Sequence, residues 1–214
     1  MNEMKTALSA VLVAVAAIVL TACSEEVESY QYVPLTKAEK TEQINLMKGN
    51  YTGKAFFALN GYYQAFTDSV EVAWTVNAVD STLTISNFPM KVFATGIQDE
   101  AMKAVLQSEN THSLVSKIYL YRPWGSSGPL QMCYFNIIPT GSQQLVVTMP
   151  LTIDGAEKDA TLLFETDYAE KFYSTGGYDK EKYMMFYLIL KQLVADDRVF
   201  DAETIVAFYG TKLE

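Results

Sequence analysis

Between residues 70 and 87 apolar side chains recur at every second position. Val70, Val72, Trp74 and Val76 alternate with Glu71, Ala73, Thr75 and Asn77, and Leu83 and Ile85 resume the pattern after Asp80-Ser81. A period of two puts the apolar set on one face of a strand, so the segment is predicted to be a hairpin turning at Asp80-Ser81, with Trp74 in the core. Pro89 has no amide hydrogen to give to a ladder and limits extension to an edge or bulge. Upstream, Gly49-Asn50-Tyr51-Thr52-Gly53 opens a strand that runs to Leu59. Downstream, strand-like runs at 114–121, 130–138, 143–153 and 159–166 are separated by turn residues in 122–129, 139–142 and around Asp154-Gly155. Parallel neighbours need a crossover of about a dozen residues, so loops this short predict an antiparallel meander. Residues 182–194 form a continuous apolar run that fits a buried strand or a buried helix, and its aromatics favour strand. Asp196, Asp197 and Asp201 mark the turn into a last strand, 204–209.

Two segments switch to helical spacing. Thr36-Lys37-Ala38-Glu39 is a capping box and Gly49 a suitable residue beyond the end, predicting a helix over 37–48. Thr95-Gly96-Ile97-Gln98 repeats the capping pattern, and Ile97, Ala101, Ala104 and Val105 share a face, predicting a helix over 97–108. The fold class is therefore mostly β: an antiparallel β-barrel or two-sheet sandwich of about 8–10 strands with two short helices, in one domain over 36–214.

The first residues belong to something else. Lys5 precedes an uncharged apolar run over 7–20, too short at 1.5 Å per residue to cross about 30 Å of hydrocarbon but right for the core of a secretory signal. Glu3 offsets Lys5, and a start at Met4 instead of Met1 leaves a cleaner Met-Lys opening. The run ends in Leu20-Thr21-Ala22-Cys23, which resembles the lipobox of bacterial lipoproteins. That resemblance implies a signal peptide over 1–22, lipidation of Cys23, and a membrane partner reached through the acyl chains without a spanning helix. Ser24-Glu25-Glu26-Val27-Glu28 begins an acidic tether over 23–35. It is similar to the surface-export signal that follows the lipid cysteine in lipoproteins of the Bacteroidetes, and it reads equally as a plain solvated linker. The expected location is the outer membrane of a cell envelope, on its periplasmic or its outer face.

Composition narrows the chemistry. The chain has 214 residues, 50% hydrophobic, with a formal charge of −9. With Arg122 and Arg198 its only arginines, it lacks the clustered cations that nucleic acid requires. Once Cys23 is acylated, Cys133 is the remaining thiol, so no intramolecular disulfide forms; within the apolar run 130–138 it reads as a small buried hydrophobe rather than a nucleophile. His112 is the single histidine, in a polar turn, and no Gly-x-Ser-x-Gly elbow accompanies it, which leaves no hydrolytic triad. One histidine and one free cysteine leave no zinc site, and Asp196, Asp197, Asp201 and Glu203 lack the glycine and alternation of a calcium loop. Thr175-Gly176-Gly177-Tyr178 reads as a flexible turn, not a phosphate loop. No cofactor and no catalytic residue are assigned.

One loop stands out. Arg122-Pro123-Trp124-Gly125-Ser126-Ser127-Gly128-Pro129 carries an arginine and a tryptophan in a Gly/Pro/Ser setting, both expected near the surface where such side chains meet partners and where a flat ring stacks on sugars. The bland alternative folds Trp124 back over a barrel mouth. The helix leading into Gly49-x-Tyr51-x-Gly53, then a β-rich chain behind a lipobox, resembles the uncharacterised calycin-like lipoproteins of gut Bacteroidetes. That layout implies a fold and a location, and no reaction. The function expected is a non-catalytic envelope module binding glycan or a partner protein. Its alternatives are an envelope hydrolase with paired carboxylates 5 to 10 Å apart, roughly, in a cleft, and a structural accessory of an outer-membrane complex.

Overall fold

The structure is a computed structural model that describes residues 33–57, 66, 68–108, 111–123, 125, 126, 130–138, 145–164, 176–179, 182–195 and 197–214. Residues 33–214 belong to one compact unit. Helix α1, Lys37–Met47, starts at the predicted capping box: the Glu39 amide donates to the Thr36 hydroxyl at 3.2 Å and the Thr36 amide to Glu39 Oε2 at 2.8 Å. Strands follow as β1 Gly49–Phe57, β2 Asp68–Asn77 and β3 Thr82–Phe88, then helices α2 Lys91–Ala94 and α3 Glu100–Ser108. The rest is strand: β4 His112–Tyr121, β5 Met132–Ile138, β6 Leu145–Ile153, β7 Ala156–Phe164, β8 Gly176–Asp179, β9 Tyr183–Ala195 and β10 Arg198–Lys212.

All pairings are antiparallel, and the order β10-β1-β2-β3-β4-β5-β8-β9 closes on itself because β9 also pairs with β10. Closure makes this a barrel rather than a sandwich and removes the open edges of those strands. β9 changes neighbour along its length: Met184–Phe186 pair with β8, and Leu190–Ala195 pair with β7, which carries β6 as a side ribbon. The apolar run over 182–194 is therefore strand, as its aromatics favoured.

Three expectations are corrected. The meander breaks after β5, whose second neighbour is β8 and not β6. Gly176-Gly177 belongs to that strand instead of a flexible turn: a Cβ at Gly176 would stand 2.4 Å from the Phe135 ring, so only glycine lets β8 pair there and complete the wall. The second helix begins later than 97, because Asp99 and not Thr95 caps it. The Met102 amide donates to Asp99 Oδ1 at 2.9 Å, whereas the Thr95 hydroxyl donates to the Val92 carbonyl at the end of the unforeseen α2. Its buried face is Met102 and Leu106, one turn apart, while Ala101 and Ala104 are exposed.

The barrel is filled by rings. Tyr51 stacks on Trp74 at 5.5 Å, Trp74 meets Phe186 edge-on at 5.4 Å, and Phe186 stacks on Phe208 at 4.4 Å. Phe208 touches Phe88, Phe88 touches Phe93, and Phe93 reaches Phe164 on β7, so the column continues from the α1 end to the layer made by α2 and the side ribbon. The Trp74 indole N–H, which needs a partner once buried, donates to Met184 Sδ at 3.2 Å. Space for this column depends on β1 and β10 crossing closely at the paired Gly53 and Gly210, where a Cβ on Gly210 would lie 2.5 Å from Trp74 Cη2.

Candidate functional site

The N-terminal residues up to 32, Cys23 among them, and Trp124 lie outside the described residues. Arg122 departs from its expected surface position. It is 6% exposed and turned onto α1, its Nη2 donating to Glu39 Oε1 at 2.5 Å. Glu39 thus serves two purposes. Hydrogen bonds from Thr36 and then the Arg122 guanidinium hold its carboxyl below the ordinary range, and the same contacts fasten the start of α1 to the end of β4.

Cys133 is buried in the core as expected, near Tyr51 and Tyr178. Burial, reinforced by Tyr178 and Cys133, pushes the Tyr51 hydroxyl far above the ordinary tyrosine value, and that hydroxyl donates to the Met47 carbonyl at the end of α1. His112 is the first residue of β4, paired with Phe88 instead of standing in a turn. Asp201 accepts from Gln192 at 3.3 Å. Among the described residues no three His, Cys, Asp or Glu side chains stand together as a metal cage.

What the structure assembles at the α1 end is a groove. Successive turns of α1 present Lys37, Lys40, Thr41, Ile44 and Asn45 along one stripe that its C-cap residue Lys48 continues, facing the ends of β2 and β4 and the turn over 78–81. Two adjoining clefts, about 280 and 550 Å³, share Asn45 and Ala78 across this gap. Ile44 and Ile118 form apolar floor, and Tyr119, 53% exposed, stands at one end. The groove's own polar groups are held in place: the Asn45 amide donates to the Thr41 carbonyl at 2.8 Å and the Val79 amide to Asn77 Oδ1 at 2.9 Å. Asp80 is turned aside to accept from the Thr82 hydroxyl at 2.7 Å. Neither cleft is lined by a carboxylate.

Five cations elsewhere among the described residues are paired with acids. Lys54 pairs with Glu71, Lys103 with Glu100, Lys182 with Glu214, Arg122 with Glu39 and Arg198 with Asp99. Among the described residues Lys37, Lys40 and Lys48 have no such partner, and all three are exposed. Close behind them, Lys212 donates to the Leu46 carbonyl at 2.8 Å; burial, then Lys48 and Lys182, lower its ammonium below the usual value. This positive stripe was missed in the sequence, where α1 registered through its caps and its sparse apolar positions. The signal was present as lysines 3 and 11 residues after Lys37 on a face without acids.

The profile of one family, a domain of unknown function designated DUF4840, matches residues 46–195, from the end of α1 through β9. The chain belongs to the DUF4840 family. The part of this DUF4840 protein that matches contains the β2–β3–β4 wall of the groove and the strand β8 that completes the barrel, while β10 follows it. No curated protein matches the sequence.

Proposed function

We propose that this DUF4840 protein is a lipoprotein of the cell envelope, held by acyl chains on Cys23, whose barrel is a non-catalytic scaffold that binds glycan on its outer surface. The observation that carries the reading is the filled interior: Trp74, Phe186, Phe208 and Phe88 occupy the barrel axis, so recognition falls to the outside. Support comes also from the groove beside α1, lined by amide, hydroxyl and ammonium groups and, in one of its two clefts, by the exposed Tyr119, the mixture that sugar hydroxyls and pyranose faces require. In this reading the acidic tether over 23–35 links the acylated cysteine to the β-rich domain.

A partner-protein reading has one observation in its favour. Tyr183 and Tyr209 stack at 5.7 Å on the outer wall beside Met185, all three at least 37% exposed. The readings separate in one experiment. Membrane fractionation and acyl-chain labelling of the wild type and Cys23→Ala test the anchor; the variant is expected in the soluble fraction and unlabelled, and an unchanged distribution refutes anchoring at this residue. The chain from Ser24 is then screened against glycans and, by crosslinking, against envelope proteins. Retention of glycans is the expected result, and crosslinking to an envelope protein through the Tyr183 face without glycan retention overturns it.

A further inference from the structure

We propose that the groove between α1 and the turn over 78–81 takes an acidic polysaccharide, one whose carboxylate or sulfate groups repeat along the chain. The inference rests on the glycan-binding reading above and names both the site and the charge of the ligand. The protein carries −9 overall, so an anion is repelled by most of its surface and needs a local reversal of sign to settle. Lys37, Lys40 and Lys48 supply it. They rise along one face of α1 over about 16 Å, since a helix advances 1.5 Å per residue, and that length suits several sugars rather than a single one. Glu39 is engaged by Thr36 and Arg122, and Asp80 by Thr82, and neither they nor Glu42 of α1 lines the groove.

Other anionic polymers fit less well. An acidic peptide is captured by adding a strand to an open edge or by a cluster of arginine forks, but β2, β3 and β4 are each paired on both sides and the cations lining the groove are lysines. A duplex or single-stranded nucleic acid calls for arginine forks and stacking platforms, and the groove holds lysines and the lone ring of Tyr119. A polysaccharide uses what is present. Ammonium groups meet its charges, Asn45 and Asn77 its hydroxyls, and the Tyr119 face a pyranose ring. A flat lipid surface does not enter a concave gap, whose ammonium groups line its walls.

The test is calorimetric titration of the chain from Ser24, which retains the whole compact unit over 33–214, with oligogalacturonates and with neutral galactan oligosaccharides of equal length. Oligogalacturonate is expected to bind, more weakly as salt rises. The combined Lys37→Ala, Lys40→Ala and Lys48→Ala variant is expected to lose about tenfold in affinity, the sum of three solvent-facing charge contacts of ordinary strength. Lys91→Ala, an exposed lysine outside the groove, is expected to leave affinity unchanged. Tyr119→Ala is expected to weaken binding with the same salt slope as the wild type. Thermal unfolding of the triple variant checks that these exposed positions leave the fold intact. Equal binding of neutral oligosaccharides by wild type and triple variant overturns the groove assignment and leaves the glycan reading standing. Binding of no glycan overturns both. Lysine-dependent capture by phosphatidylglycerol vesicles without oligogalacturonate binding overturns the polysaccharide in favour of a headgroup surface.

Discussion

Replacing Gly210 with alanine probes the seam that closes the barrel. The added Cβ would stand 2.4 Å from the Thr52 carbonyl oxygen, 2.5 Å from Trp74 Cη2 and 2.9 Å from the Gly53 Cα, all inside distances that carbon tolerates. Two of the three neighbours are backbone of β1, which is hydrogen-bonded to β2 on its other side, and the third is a fully buried ring stacked on Tyr51. None of them can swing away as a flexible side-chain end would. Overpacking of this kind costs about 3 kcal/mol. At roughly 2–4 °C per kcal/mol for a chain of this size, the melting temperature falls by about 6–12 °C. Gly155→Ala is the control. Its φ of 76° strains an alanine by about 1–2 kcal/mol, but nothing lies within 4 Å of the new carbon. Gly53→Ala would meet the Tyr209 carbonyl at 2.2 Å from the other side of the same crossing, so the two seam substitutions act on one gap. Once β1 and β10 have separated for the first methyl, the second costs less, and the double variant is expected to be less destabilised than the two singles added. Differential scanning calorimetry on the wild type and the four variants measures all of this. A Gly210→Ala melting temperature within that of Gly155→Ala, or strict additivity with Gly53→Ala, refutes a close crossing at this seam.

Two pH effects follow from buried or engaged groups. Glu39 has its carboxyl lowered by Thr36 and Arg122, so its contribution is complete above the ordinary value of 4.5 and is lost as pH falls through the lower folded value; Glu39→Gln is expected to flatten the acid limb of urea-unfolding midpoints, and an unchanged limb contradicts the pairing. Tyr51 is raised instead, so the folded state keeps a proton that the unfolded chain releases above about pH 10, and stability falls as pH climbs past that point. Tyr51→Phe is expected to cost about 1 kcal/mol at neutral pH through the lost bond to the Met47 carbonyl and to remove part of the alkaline decline, both read from denaturant midpoints.

The hairpin of β2 and β3 was legible because valine and tryptophan mark every second position, and α1 because Thr36 and Glu39 sit at capping spacing. The strand at β9 was decided by aromatic content where periodicity was silent. β8 was not legible. Gly176-Gly177 carries no side chain to alternate, and the reason for its strand lies across the wall in the ring of Phe135. For the same reason the meander was followed one step too far, since pairing of β5 depends on which distant segment fits its edge and not on loop length. The cap of α3 went to Asp99 because an ionised carboxylate competes better for helix amides than Thr95, whose hydroxyl was taken by Val92. Arg122 looked like a surface residue in a Gly/Pro loop, and its inward turn depends on Glu39, 83 residues earlier. The groove was hidden because it is made by three separate stretches, and only their juxtaposition turns three ordinary lysines into a charged stripe.

Whether the barrel is a filled scaffold is tested most directly by the fluorescence of Trp74 alone, in a Trp124→Phe variant titrated with a fluorescent fatty acid. With Tyr51, Phe186 and Phe208 packed around the indole, emission is expected to be shielded from a soluble quencher and to stay unchanged as the fatty acid is added. Saturable energy transfer from Trp74 to the fatty acid, at one molecule per barrel, would show an open lumen and contradict recognition on the outer surface.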